Sequence, residues 1–369
     1  MNQHIIISAM EISGDEYASW LIQSLKKLNP SYHFSGIAGD LCQQAGMALI
    51  AHFNQHASMA LFDIIKQMRH YRSLQQKLIN HLKENRPDLL VLVDSGAFNL
   101  KLAKEAKRIG IPVIYYIPPK VWAWGGWRLP ALKKNCALLA CLYPFETAFF
   151  EAKNCPAISA ANPRTYTRHV KKHLPKRIIA VCPGSRKNEI RHGLPVMLAA
   201  CSLLKTKYPD ICFELIVAHK RLLPQIQQIS AEYPLSDSLS YIVDHPKEHL
   251  ANAYVAVATS GTLTFELAML QTPMVIGYKM AHFNYLIGCL LVHAKWAGLP
   301  NLLANRTIIP ELIQDKMTAA NIVKHVALLL DEPKQRQRMI AQLRTIAEHV
   351  CATQHKPIGN IVHEFLQTT

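Results

Sequence analysis

The stretch from residue 255 to residue 280 constrains the fold of this chain more than any other part of the sequence. An apolar run through Val255 and Val257 breaks into small residues, a helical pattern follows, and a second apolar run begins at Pro273. This pattern predicts a strand, a tight turn, a helix and a second parallel strand. The turn holds Ser260, Gly261 and Thr262. Its N–H groups and helix dipole favour phosphate, although Ser and Thr also cap helices for purely local reasons.

Three further apolar runs end in the same kind of polar turn. Because open parallel sheets bind ligands at the carboxyl ends of their strands, we expect these turns to line binding sites. Asp15 could instead only charge or cap the first turn of its helix. The turn residues are Glu11, Ser13, Gly14 and Asp15 after residues 4–8, Asp94 after residues 87–93, and Gly184, Ser185 and Arg186 after residues 178–182.

The length of 369 residues predicts two domains rather than one. We place an N-terminal acceptor-binding and membrane-facing domain at residues 1–170 and a C-terminal domain that binds the sugar nucleotide at residues 175–345. The basic segment 162–177 links them, and the helices from about 345 to 369 could pack back on the first domain. The predicted fold class is α/β, with two Rossmann-like domains whose parallel sheets face one another across a cleft. Neither GxGxxG nor GxxxxGK[ST] occurs, which disfavours dinucleotide redox chemistry and P-loop hydrolysis.

The composition of the chain indicates its cellular location and the classes of partner that it could bind. Nine scattered cysteines without zinc-ligand spacing indicate a reducing cytoplasm and no metal site. No run of about 18 apolar residues is present, and acidic residues directly follow the short first apolar run, which argues against a signal peptide. Lys and Arg outnumber Asp and Glu by 41 to 25, and much of the excess lies in residues 95–177. Such a surface attracts nucleic acid, anionic lipid or phosphorylated substrates, or is simply a solvated face.

Two segments combine apolar and basic side chains. Residues 58–78 form an amphipathic helix in which Phe62 and Arg69 could lie on an anionic bilayer, or which could face a core. In the second segment Trp122, Trp124 and Trp127 stand beside several cations. These indoles suit a lipid or sugar interface, stacking on bases, or ordinary core packing.

A colinear series of motifs resembles the lipid-A-disaccharide synthase family. The series runs along nearly the whole chain: SAMEISGD, GIAGD, RPDLLVLVDSGAFNLKLAK, YYIPPKVWAW, LYPFE, PGSRKNEI, ATSGTLTFELAM, MVIGYKM and LPNLLANR. The resemblance implies an inverting hexosyltransferase of the GT-B architecture, which is cytoplasmic and peripheral on the inner membrane of a Gram-negative bacterium. It would join UDP-2,3-diacylglucosamine to 2,3-diacylglucosamine 1-phosphate without a cofactor or metal, and a homodimer is possible. By the same resemblance Glu266 would accept hydrogen bonds from the ribose, and Asn301 and Arg306 would close over the donor.

The sequence departs from the family pattern where a base is needed. Many members carry a second aspartate three positions after the one that matches Asp94, and this chain has Ala97 there. Asp94 is then the preferred base for the acceptor hydroxyl, with Glu11 as the alternative. Two other functions stay open on the sequence alone. One is a UDP-sugar 2-epimerase of the same fold, and the other is a divergent copy of low activity that binds anionic membrane or nucleic acid.

Overall fold

The computed structural model describes residues 3–53, 61–165, 177–243, 245–353 and 356–368, with backbone alone at residues 61–68, 283, 284, 286, 287 and 290. The chain forms two compact units. The amino-terminal unit consists of Met1–Pro163 together with Ala352–Thr369, and the carboxyl-terminal unit of Arg164–Cys351. Among the described residues, no helix has the length and apolar character that crossing a bilayer requires.

The amino-terminal unit is built on a seven-stranded parallel sheet with the order β3-β2-β1-β4-β5-β6-β7. Its central strands are continuous apolar runs because helices cover both faces of the sheet; every residue of β4, for example, is buried. The strands are β1 His4–Ala9, β2 His33–Ala38, β3 Ala48–His52, β4 Leu89–Val93, β5 Val113–Tyr116, β6 Leu138–Cys141 and β7 Ala157–Ser159. The helices between them are α1 Ile12–Leu28, α2 Asp40–Gln44, α3 Leu61–Asn85, α4 Gly96–Arg108, α5 Leu129–Asn135 and α6 Pro144–Glu151.

The carboxyl-terminal unit has a six-stranded parallel sheet with the order β10-β9-β8-β11-β12-β13. Its strands are β8 Ile178–Cys182, β9 Cys212–Ile216, β10 Leu239–Ile242, β11 Val255–Thr259, β12 Met274–Tyr278 and β13 Glu311–Ile313. Its helices are α7 Lys187–Lys207, α8 Leu223–Ser230, α9 Pro246–Asn252, α10 Thr262–Met269, α11 His282–Leu291, α12 Leu299–Ala304, α13 Ala319–Asp331 and α14 Pro333–Ala352.

The last helix, α15 Ile358–Thr368, belongs to the amino-terminal unit and packs against α1. The Tyr32 hydroxyl and His363 Nδ1 share a hydrogen bond of 2.6 Å, and the Gln3 amide donates to the Leu366 carbonyl at 3.3 Å. Just before the helix, the Ala161 N–H donates to the Lys356 carbonyl at 2.8 Å. The first and last parts of the chain therefore form one packed body.

Both sheets reverse their strand order beside the first strand of the unit. In the amino-terminal unit this places β1 next to β4, with Ala9 paired to Val93 at the carboxyl ends. In the carboxyl-terminal unit it places β8 next to β11, with Cys182 paired to Ala258. Ligands of doubly wound sheets bind at this reversal, and in each unit the sequence-predicted turns follow the two strands that flank it.

The short strands β3, β7 and β13 were missed by sequence reasoning. They contain five, three and three residues, and they lie at or next to sheet edges, where an apolar run is weaker. The amphipathic helix predicted at residues 58–78 corresponds to α3, and the side chain of Phe62 lies outside the described residues.

Candidate active site

The turn after β4 carries Asp94 in a strained backbone. Asp94 and Ser95 both have left-handed conformations, with φ of 52° and 48°. For residues other than glycine, such geometry costs on the order of 1–3 kcal/mol each and persists only where neighbours enforce it. The Asp94 N–H donates to the Tyr116 carbonyl at 3.1 Å, which ties the turn to β5.

A buried set of uncharged side chains holds the Asp94 backbone. The Asp94 carbonyl accepts from the Tyr115 hydroxyl at 2.7 Å and from the Asn99 amide at 2.9 Å. The Ser8 hydroxyl orients that amide by donating to Asn99 Oδ1 at 2.7 Å. Burial raises the pKa of Tyr115 well above its usual value, so the phenol stays a donor. The carboxylate of Asp94 accepts the Ser95 N–H at 2.9 Å.

The turn after β1 leads into α1 and also supports α2. Glu11 is the N-cap residue of α1 in an extended conformation, and Gly14 packs against the ends of β1 and β4. Asp15 is buried and caps α2, because its carboxylate accepts the N–H groups of Gly39 at 2.8 Å, Leu41 at 3.1 Å and Cys42 at 3.2 Å. Asp15 thus lies in the first turn of its own helix, as the alternative interpretation expected, and also caps α2. Contact of Ser13, Gly14 and Asp15 with a donor stays a prediction.

In the tryptophan segment, the N–H group of Trp122 points inward and Trp124 is exposed. The Trp122 indole N–H donates at 3.0 Å to the carboxyl of Glu146, which is buried, and the Trp122 ring packs edge-on against Phe145. Burial raises the pKa of Glu146 to about 7. Trp124, by contrast, is 39% exposed. The N–H edge of Trp122 thus points inward, and its contact with the acceptor or the membrane stays a prediction. Arg69 is exposed on α3.

In the carboxyl-terminal unit, the turn after β8 is held by a carboxylate from its own helix. Glu189 accepts the N–H groups of Ser185 and Arg186, both at 3.3 Å, and pairs with the Arg186 guanidinium at 3.1 Å. Gly184 has φ of +103°, and an added Cβ would lie 2.6 Å from Glu189 Oε2. The sequence reading missed Glu189, although a glutamate three residues after an N-cap is a recognisable capping signal.

The turn after β11 leads into a helix without a side-chain cap. Gly261 is the N-cap of α10 and makes no such bond. The Ser260 hydroxyl donates to the Ala297 carbonyl at 2.6 Å, which joins the turn to the segment before α12. The N–H groups that begin α10 thus have no acceptor on their N-cap residue and are suited to an anion.

A second carboxylate, Glu311 of β13, organises the segment that Ser260 contacts. It accepts the N–H groups of Ala297 at 2.8 Å and Gly298 at 3.0 Å, and the Asn301 amide at 2.7 Å. Asn301 is fully buried, and its Oδ1 accepts the N–H groups of Ile308 at 2.8 Å and Ile309 at 3.0 Å. The structure gives Asn301 a role inside this segment, and its predicted closure over the donor stays a prediction.

Glu266 is nearly buried in α10 and forms an ion pair with Arg164. Burying two charges is costly unless they are paired, so the pair fixes both side chains. Sequence reasoning did not single out Arg164, and nothing in the local pattern identifies it as the partner of a residue a hundred positions later. Arg306 is exposed just after α12, where its N–H donates to the Asn301 carbonyl at 3.3 Å.

Comparisons with known proteins agree with this architecture. Among solved structures, Acinetobacter baumannii MurG aligns over 100% of both chains with a TM-score of 0.57 and 12% identity. A Neisseria meningitidis UDP-GlcNAc 2-epimerase bound to UDP-GlcNAc aligns over 100% of this chain and 99% of its own, with a TM-score of 0.61 and 14% identity. These likenesses concern the fold, and they confirm the predicted α/β class with two Rossmann-like domains of the GT-B type.

Relatives found by sequence similarity show the family, whereas the structural neighbours show the fold alone. The family model described as Lipid-A-disaccharide synthetase matches residues 5–362. A lipid-A-disaccharide synthase of Coxiella burnetii is 34% identical over 353 residues, which are 93% of each chain. Lipid-A-disaccharide synthase 1 of Legionella pneumophila is 32% identical over 362 residues, covering 95% of this chain and 94% of its own. The chain therefore belongs to the lipid-A-disaccharide synthase family of glycosyltransferases.

Proposed function

We propose that this enzyme transfers 2,3-diacylglucosamine from UDP to the 6-hydroxyl of 2,3-diacylglucosamine 1-phosphate with inversion at the anomeric carbon. The products are the β-1,6-linked disaccharide 1-phosphate and UDP, an intermediate step in lipid A synthesis. The observation that carries the proposal is the strained Asp94 turn at the strand reversal of the amino-terminal sheet, in a chain of this family. A carboxylate held there at the expense of backbone strain is typical of a catalytic group.

Asp94 is the base in this proposal. Its carboxylate takes the proton of the acceptor 6-hydroxyl as that oxygen forms a bond to the anomeric carbon of the donor. The bond from that carbon to the UDP oxygen breaks, and the electron pair leaves with UDP. Attack opposite the leaving group converts an α-linked donor into a β-linked product. Glu11, which follows the adjacent strand, is the alternative base.

Donor binding belongs to the carboxyl-terminal unit. The uncapped start of α10 at Ser260, Gly261 and Thr262 offers N–H donors to the diphosphate, whose developing charge they stabilise in the transition state. Arg186 adds a cation whose side chain is 71% exposed. Glu266, with one oxygen on Arg164, offers its other oxygen to the ribose hydroxyls.

Acyl-chain substrates require access to a bilayer. The exposed Trp124 and the basic surface of the amino-terminal unit, including Arg69 of α3, suit the interface of an anionic membrane. We therefore place the enzyme on the cytoplasmic surface of the inner membrane.

The test is a UDP-release assay with each substrate omitted in turn. Release that requires both diacylglucosamine derivatives, with a disaccharide product and β geometry at the new bond, supports the proposal. Release without acceptor would indicate hydrolysis. Conversion of UDP-N-acetylglucosamine to its manno epimer, with no disaccharide from the lipid substrates, would show a 2-epimerase instead.

A further inference from the structure

The guanidinium of Arg128 is held against two indole rings beside the Asp94 turn. Its Cζ lies 4.2 Å from the centroid of the Trp124 ring and 5.5 Å from that of Trp127, and the two rings meet at 76°. Trp127 is 64% exposed, which is unusual for so large an apolar side chain. Stacking on aromatic faces fixes a guanidinium while its N–H edge stays available for hydrogen bonds.

This cation has no anionic partner in the part of the chain that the structure describes. None of the ion pairs there includes Arg128, although its side chain is half-buried. Other basic residues of the same unit do have partners; Arg108, for example, pairs with Glu105 at 3.1 Å. Because partly buried charges are normally paired, an arginine without a carboxylate partner among the described residues is suited to bind an anionic ligand.

The cation lies over the start of α4. A Cβ added to Gly96, the first residue of α4, would lie 3.9 Å from Arg128 Nη1 and 2.7 Å from Pro119 Cγ. The helix begins without a side-chain cap, since Ser95 makes no capping bond. The Ser95 Oγ is buried and has no hydrogen-bond partner among the described residues. The planar Arg128 cation, the uncapped start of the 13-residue helix α4 and the unsatisfied Ser95 hydroxyl therefore lie close together.

We infer that Arg128, held by Trp124 and Trp127, binds the anomeric phosphate of the acceptor sugar at the start of α4. The inference rests on the proposed function, since it names the part of the acceptor that this place recognises. In a hexose 1-phosphate the carbons that carry the phosphate and the 6-hydroxymethyl group are both bonded to the ring oxygen. A phosphate on Arg128 thus brings the 6-hydroxyl toward Asp94, which lies two residues before Gly96.

A phospholipid headgroup has the same phosphate chemistry, and the position of the cation argues for the acceptor. Arg128 Nη1 lies 3.9 Å from the position that a Cβ would take on Gly96, which is two residues after Asp94. The guanidinium is therefore at the proposed reaction centre. The exposed ring of Trp127 packs against the same guanidinium and can face the bilayer that delivers the acceptor.

The experiment compares two acceptors, 2,3-diacylglucosamine 1-phosphate and the same lipid without its phosphate, at saturating donor. Arg128→Gln should lower kcat/KM for the phosphorylated acceptor by about 10- to 100-fold, the usual effect of losing a charge-assisted hydrogen bond. The rate with the dephosphorylated acceptor should stay the same, so the preference for phosphate disappears. Arg108→Gln is the matched control and should keep the preference. An unchanged preference in Arg128→Gln, or an equal loss with both acceptors, would overturn the inference.

A binding measurement separates this inference from the proposed function. Glucosamine 1-phosphate should change the tryptophan fluorescence of the wild-type protein, glucosamine should not, and Arg128→Gln should weaken the phosphate-dependent change by about 10- to 100-fold. Binding of this kind without disaccharide synthesis would sink the proposed function and leave the phosphate site standing. Disaccharide synthesis without it would do the reverse. A loss of binding to phosphatidylglycerol vesicles in Arg128→Gln, with the acceptor preference intact, would assign the phosphate to the bilayer and refute the inference.

Discussion

Neutral groups lie under the Asp94 turn of the amino-terminal unit, whereas carboxylates hold the turns of the carboxyl-terminal unit. The supports of Asp94 are the hydroxyls of Ser8 and Tyr115 and the amide of Asn99. The turns after β8 and β11 depend instead on Glu189 and Glu311, which accept N–H groups of the turns or of the segment they contact.

The two kinds of support suit the two proposed functions, a catalytic base in the amino-terminal unit and a diphosphate site in the carboxyl-terminal unit. A base needs a carboxylate whose own charge dominates its surroundings, and neutral supports add no competing negative charge. A site for a diphosphate needs N–H donors left free, and Glu189 already uses two at the start of α7. The uncapped start of α10 is then the better place for the anion. We therefore expect the diphosphate to contact residues 260–262, with the Arg186 side chain as an added cation.

The largest effect should come from the carboxylate that the neutral supports present. Asp94→Asn keeps the shape of the side chain and removes the proposed base, so kcat should fall by about 10²- to 10⁴-fold while donor KM stays unchanged. Steady-state UDP release measures both parameters. Asp40→Asn, which alters a carboxylate that is 78% exposed in the same unit, serves as the control.

An undiminished rate in Asp94→Asn would remove Asp94 from the mechanism and favour Glu11. Ala97 adds a second check, because its side chain is exposed in the first turn of α4, where an aspartate is tolerated. With Asp94 as the base, Ala97→Asp leaves kcat unchanged. A clear gain in kcat would show that the departure from the family pattern limits this enzyme.

A further prediction concerns Glu146, a buried carboxyl group of the amino-terminal unit. Its folded pKa of about 7 is raised above the ordinary value of 4.5, so the folded state holds the proton more tightly than the unfolded state. The associated stability is complete below the unfolded pKa and is lost as pH rises through 7, by about 3 kcal/mol in all. Urea unfolding at a series of pH values should show this decline in the wild type and a flatter profile in Glu146→Gln. Parallel profiles for the two proteins would contradict the buried neutral carboxyl.

A substitution at Glu311 tests whether a carboxylate supports the donor site of the carboxyl-terminal unit. Glu311→Ala leaves three N–H donors without their acceptor, and the free energy of unfolding of the carboxyl-terminal unit should fall by about 2 kcal/mol, with a rise in donor KM. Urea unfolding and donor titration measure the two effects. Glu332→Ala, on an exposed glutamate after α13, should change neither quantity. A donor KM that stays constant despite the lost stability would separate the Glu311 segment from donor binding.

The smallest effect should come from a single neutral support. Tyr115→Phe removes one of the two side-chain hydrogen bonds to the Asp94 carbonyl, which is worth about 1 kcal/mol. We expect kcat to fall by up to about tenfold with donor KM unchanged, since the remaining Asn99 bond keeps the turn formed. Tyr32→Phe, which loses a hydrogen bond to His363 instead, should alter stability without changing kcat. Equal kcat values for both variants would mean that the Tyr115 bond does not orient Asp94.

The positions of the polar turns could be predicted from the sequence, but the side chains that hold the turns could not. Five consecutive apolar residues before Asp94 are visible in the sequence, and so is the small-residue turn at 259–262, because burial and turn chemistry act locally. The left-handed pair at Asp94 and Ser95 was not foreseeable, since neither residue is a glycine and the strain is enforced by Tyr115 and Asn99. Glu311 was equally hidden, because its partners Ala297 and Gly298 meet it only through the tertiary fold. The inward direction of the Trp122 N–H depends on Glu146, which the sequence alone gave no reason to bury.

The return of α15 to α1 has a consequence for synthesis on the ribosome. Translation is vectorial, so β1 to β7 emerge long before the helix that completes their packing. Until Ile358–Thr368 appears, the α1 surface that it will cover stays open to solvent while the whole carboxyl-terminal unit is being made. The nascent amino-terminal unit therefore depends on its last-made segment for closure, and a ribosome that stalls within α13 or α14 would leave that surface available to chaperones and proteases.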